Sequence, residues 1–168
     1  MSFVLPKGAR DFFGFEGNRA FAKRGVIKRE GATRFLLFDA YYCCVLLGLD
    51  SGRIGDPSHL EGEPFYTQGY PDAYKGQAEL MAGLLVDAEL RRLMVSVDDR
   101  EDVERQMVRL LNLTSPSRLS GDGDTLLNQY AVTGFDRLQE EMLEPDNLED
   151  FLVGYHGLWS RVTVEQEV

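Results

Sequence analysis

The chain has 168 residues and a mass of 19.0 kDa, the size of one ordinary domain with a single core. Apolar residues at 43% and charged residues at 27% exclude a fibrous or wholly disordered chain. A net charge of −10 argues against a generally basic nucleic-acid binder, and the adjacent cysteines, Cys43 and Cys44, exclude a disulfide framework and fit a reducing, cytoplasmic compartment.

The charge is unevenly placed: residues 1–34 carry +5 and the remainder −15. This asymmetry divides the chain into a basic N-terminal arm, 1–32, and an acidic helical domain, 33–168. The first thirty residues lack an uninterrupted apolar stretch, so no secretory signal is expected. Glycines at 8, 14, 17, 25 and 31 work against a stable helix in the arm. Its aromatic and basic residues Phe12, Phe13, Arg19, Lys23, Arg24, Lys28 and Arg29 are candidate partner contacts, because aromatics set among cations dock in protein grooves or stack on single-stranded bases. The competing arrangement folds the arm back, with its phenylalanines completing the core.

The segment from Thr33 to Leu49 is the most apolar in the chain. Thr33 is placed to cap a helix, and the run is shorter than the ~18 apolar residues a membrane span requires. Apolar residues on all sides predict a helix at the centre of the domain. A buried strand is the competing assignment, and length favours the helix. Residues 50–73, rich in glycine and proline, read as a loop in which Phe65, Tyr66 and Tyr70 either bind a partner or pin the loop to the body. A second helix is predicted from about 73 to 94, with a stripe of Leu80, Met81, Leu84, Leu85, Ala88 and Leu93. Asp98 and Glu101 open a third, and residues 113–123 form a polar connector. A fourth helix is predicted from near Asp124 to Leu143. Gly134 in its middle costs about 1 kcal/mol relative to alanine, which close approach of another helix, the central apolar one being a candidate, would offset. A fifth, opened by Asp146 and Glu149, is expected to end at Gly154 and Gly157, followed by an extended tail. The fold class is therefore all-α, with about five helices packed around the central apolar helix and an irregular basic arm.

Catalytic patterns are sparse. His59 and His156 are far apart in sequence, and adjacent cysteines make poor joint ligands for a tetrahedral ion. Asp122-Gly123-Asp124 opens like a calcium loop, but the twelfth position is Thr133 where a glutamate is needed. No Gly-x-Ser-x-Gly elbow, phosphate loop or dinucleotide fingerprint occurs. Asp39, set between Phe38 and Ala40, is expected to be buried and paired with an arginine or tyrosine, Arg53 or an arginine of the arm being the favoured partner. These readings assign no catalytic residue, no metal and no cofactor.

Two segments, Leu47-Gly-Leu-Asp-Ser-Gly-Arg53 and Leu126-Leu-Asn-Gln-Tyr-Ala-Val-Thr-Gly-Phe-Asp-Arg-Leu138, resemble parts of small accessory proteins encoded beside DNA phosphorothioation (Dnd-type) defence systems. The resemblance implies a non-enzymatic subunit working beside larger ATPases or nucleases. The expected function is thus a non-catalytic subunit or adaptor of a larger multiprotein assembly, which the resemblance implies to be one acting on DNA in antiviral defence. Its partners would be larger protein subunits, with nucleic acid met indirectly or through the arm, and no membrane. The alternatives are a small metal-dependent hydrolase or nuclease using Asp39 and loop carboxylates, and a DNA-binding module using the arm.

Overall fold

The structure is a computed structural model and describes residues 2–16 and 35–166. Among these lie six α-helices and no strand: α1 (Ala9–Phe12), α2 (Leu37–Ser51), α3 (Ala78–Arg92), α4 (Arg100–Leu110), α5 (Gly121–Glu141) and α6 (Leu148–Gln166). Two 3-10 segments, Pro57–His59 and Asp72–Gln77, punctuate the connection between α2 and α3.

The architecture is set by the pairing of α2 with α5. Leu127, Tyr130, Ala131, Gly134 and Leu138 recur at three- and four-residue spacing along α5 and are all buried. They meet Tyr41, Cys44, Val45 and Gly48 of α2, which the apolar composition of that helix leaves with no polar face to interrupt the contact. A Cβ at Gly48 would lie 1.8 Å from the Tyr130 carbonyl oxygen, and one at Gly134 would lie 1.7 Å from that of Cys44. The backbones touch where the two glycines meet, and this is the close approach that the mid-helix glycine implied. At its C-terminal end α2 stops at Gly52, whose φ of 62° turns the chain out of the helix.

The N-terminal segment corrects the division at residue 32. Phe3, Leu5, Ala9, Phe12 and Phe13 are core residues, so residues 2–16 belong to the domain. Three contacts explain why the glycine spacing misleads here. Buried Asn128 on α5 accepts from the Val4 N–H at 3.0 Å and donates to the Ser2 carbonyl at 2.9 Å, satisfying extended backbone that lies under the surface. Phe3 and Leu5 exchange backbone hydrogen bonds with Glu61, Phe65 and Tyr66 of the loop. Arg10 pairs with Glu61 at 2.9 Å, so one basic charge is used internally. The phenylalanines then complete two aromatic groups. Phe3 packs against Phe38 (ring centroids 4.9 Å apart), Tyr41 and Tyr70, and Phe13 packs against Phe35, Phe135 and Phe151 (5.2 Å). Fully burying each such ring is worth about 1.5–3 kcal/mol, which outweighs the conformational cost of one glycine.

Other boundaries move by small amounts for local reasons. Thr33 lies outside the described residues, and α2 begins after Leu36. Asp99, not Asp98, caps α4, its carboxylate accepting from the Asp102 N–H at 3.2 Å. Ser120 caps α5, which begins three residues before the expected start, by accepting from the Gly123 N–H at 3.1 Å. α6 does not end at Gly154 or Gly157. It continues to Gln166, with Phe151 and Leu158 buried on one side, so the expected extended tail is helical.

Candidate partner-binding surface

The structure separates the sequence-predicted contacts into three groups. Phe12, Phe13 and Tyr70 are buried in the core, which corrects their reading as partner contacts. Phe65 and Tyr66 are half-buried and pack on Phe38, with centroid separations of 6.2 and 6.4 Å, so they pin the loop to α2. Arg19, Lys23, Arg24, Lys28 and Arg29 lie outside the described residues.

Asp39 occupies the first turn of α2 and is only half-buried. Its carboxylate accepts from the Leu36 N–H at 2.5 Å and from the Tyr74 hydroxyl. Tyrosine is therefore its side-chain partner, and Arg53 is exposed. The carboxylate acts as a helix cap, whose loss costs about 0.5–2 kcal/mol, less than the ~3–5 kcal/mol for breaking a buried ion pair. Asp39→Ala is expected to lower the urea midpoint by the smaller amount. A shift in the larger range would show that the carboxylate supports more than the helix end.

Among the described residues the buried carboxylate is Glu89, on α3. Arg92 donates to both of its oxygens, at 2.7 and 2.8 Å, and the Tyr130 hydroxyl donates at 2.8 Å. Arg109 lies 3.9 Å away. Burial alone raises the carboxyl pKa, but the hydrogen bonds from Arg92 and Tyr130 and the two cationic charges carry it below the ordinary range. A sequence signal existed: Glu89 stands on the same helix face as Met81, Leu85 and Ala88. The thiols are inert by the same physics. Burial pushes Cys43 up to about 12 and Cys44 well above its usual value, so neither forms thiolate near neutrality.

The exposed surface with an unusual composition is the corner between α5 and α6. There a groove of about 690 Å³ runs beside Met142, Val153, Gly154 and Gly157. Leu143 at its lip is 93% exposed and Val153 is 69% exposed. Glu144, Asp146, Glu149 and Asp150 stand around these apolar groups. Asn147 fixes the corner by accepting from the Asp150 N–H at 2.9 Å. Gly154 lets Met142 lie flat against α6, since a Cβ there would fall 2.6 Å from the Met142 methyl. Arg137 and Arg161 both hold Glu141, at 2.7 and 3.5 Å, and the Glu141–Arg161 pair, itself part of the groove wall, ties α5 to α6.

Among the described residues no three His, Cys, Asp or Glu side chains converge as a metal site, and no helix is long and apolar enough to cross a membrane. Residues 47–53 and 126–138 pack on one another through Gly48, Tyr130 and Gly134. No protein-family model, curated protein or solved structure matches the chain.

Proposed function

We propose that the chain is a non-catalytic subunit or adaptor of a larger multiprotein assembly, one that acts on DNA in antiviral defence as a resemblance to Dnd-type accessory proteins would imply. The observation that supports the adaptor reading is the α5–α6 corner, where Leu143 and Val153 stand in water among carboxylates. Exposed apolar groups rimmed by charge are characteristic of protein–protein contacts. The carboxylates repel nucleic-acid phosphates, so this face fits a protein subunit that presents basic and apolar side chains. Nucleic acid would then be met through the partner.

The test is the mass of the tagged chain recovered from its own cells. It is expected in a complex well above 19.0 kDa, and Leu143→Asp with Val153→Asp is expected to release it as a folded monomer. A wild-type chain that elutes alone, or a double variant that stays in the complex, would overturn the reading.

A further inference from the structure

A second surface region, remote in the fold from the α5–α6 corner, combines two adjoining cavities between the start of α3 and the 111–119 connection. The first, about 370 Å³, is lined by Tyr70, Lys75, Ala78, Glu79, Pro116 and Arg118. The second, about 420 Å³, is lined by Ala82, Gly83, Leu111 and Leu113 and shares Glu79 and Arg118 with the first. One end is therefore cationic and the other apolar, with Arg118 at the junction.

Three features single out this pair of cavities. Tyr70 is only 3% exposed, and among the described residues its hydroxyl has no hydrogen-bond partner, an uncommon state for a buried polar group. Burial, then the charge of Asp124, raises the hydroxyl pKa, which keeps it a protonated donor. Arg118 has φ of 64°, a left-handed backbone that favours glycine, and such outliers concentrate at binding sites. Its guanidinium is steered by the Leu113 carbonyl, to which Nη1 donates at 2.5 Å. Among the described residues three acids stand nearby: Glu79 and Asp72 beside the cations, and Asp124, whose charge reaches the Tyr70 hydroxyl. Glu79 is largely exposed and stands 3.8 Å from Arg118, and Lys75 meets Asp72 on the open surface at 2.6 Å.

We propose that the two cavities form one binding site for a small carboxylate that carries an apolar tail. The carboxylate sits by Arg118, Lys75 and the wall that Tyr70 forms. The tail lies along Ala82, Gly83, Leu111 and Leu113. A guanidinium with a hydroxyl donor matches a carboxylate head, and Glu79 swings to water as the head arrives.

The experiment is calorimetric titration of the full chain with octanoate, octylammonium and acetate. Octanoate is expected to bind saturably at one site, while octylammonium lacks the right charge and acetate lacks the tail. Arg118→Gly suits the left-handed backbone and should fold, while octanoate binding weakens about tenfold or more, the loss of a hydrogen bond to a charged group. Tyr70→Phe should weaken octanoate yet leave the thermal midpoint of the free chain unchanged or raised, because the hydroxyl it removes is unpaired. Should Arg118→Gly fold poorly by circular dichroism, Arg118→Gln takes its place. Octylammonium binding as tightly as octanoate, no saturable octanoate binding, or full octanoate affinity in a folded Arg118 variant would overturn the proposal.

Discussion

Gly134→Ala is expected to destabilise the domain by about 3 kcal/mol or more, beyond the usual 1–3 kcal/mol of overpacking. Helix propensity alone predicts the opposite sign, a gain of about 1 kcal/mol for alanine in a helix interior. The contact decides it. The added methyl would stand 1.7 Å from the Cys44 carbonyl oxygen and 2.8 Å from the Gly48 backbone nitrogen. Backbone atoms in the middle of α2 have no rotamer through which to yield, so the two helices must separate. Separation exposes the whole interface formed by Tyr41, Cys44, Leu127, Tyr130 and Ala131. Gly48→Ala should behave alike, because its methyl would meet the Tyr130 carbonyl at 1.8 Å. The matched control is Gly83→Ala in α3, where a Cβ meets nothing within 4 Å; that change should stabilise by about 1 kcal/mol. Chemical denaturation of the three variants reads all of this. A Gly134→Ala midpoint equal to or above wild type would show that α2 and α5 are not in backbone contact.

Removing the Glu89 carboxylate is expected to cost about 3–5 kcal/mol, the penalty for breaking a buried charge pair. Glu89→Ala strands the fully buried Tyr130 hydroxyl and leaves Arg92 without its two acceptors. The effect carries a pH signature. The folded carboxyl titrates below its ordinary value of 4.5, so its stabilisation is complete above that pH and is lost as pH falls through the lower folded value. Urea midpoints followed from neutrality down through the carboxylate range should therefore fall less steeply in Glu89→Gln than in wild type. Glu89→Leu with Tyr130→Phe removes both polar partners and should recover part of the loss. An unchanged midpoint in Glu89→Ala would mean that the cluster contributes nothing to stability.

Helix positions were readable where periodicity and local chemistry agree. The stripe on α5 and the need for a close neighbour at Gly134 follow from spacing and from the cost of a mid-helix glycine. Burial was harder to read at charged positions. Asp39 lies in an apolar run, yet three residues into a helix a carboxylate turns back to the open first turn, and its neighbours in sequence do not enclose it. Glu89 lies among ordinary charged residues, yet its face is fixed by Met81 and Leu85. On α3 the buried face includes Ala78, Ala82 and Ala88, while Leu80 and Leu93 are exposed, so side-chain size is a poor guide there. Phe3 is core because Asn128 holds the backbone on either side of it, and no local feature of residues 2–16 signals a partner so distant. On α6, Gly154 reads as a terminator by its type, but its missing side chain accommodates Met142 and the helix runs on. The α5–α6 groove depends on this packing and on the exposed Leu143, so neither the arm nor the loop pointed to it.

The Asn128 anchor also bears on how the chain reaches its fold. Asn128 binds Val4 across 124 residues and the Tyr41 hydroxyl across 87. α2 cannot complete its native contacts until the 87 residues from Tyr41 to Asn128 have been made. At ordinary translation speeds of about 5–20 residues per second, that interval is roughly 4–17 s. During it, the face of α2 that α5 covers waits exposed at the ribosome. Such long-range closure also slows refolding of the complete chain relative to helical proteins built from local contacts.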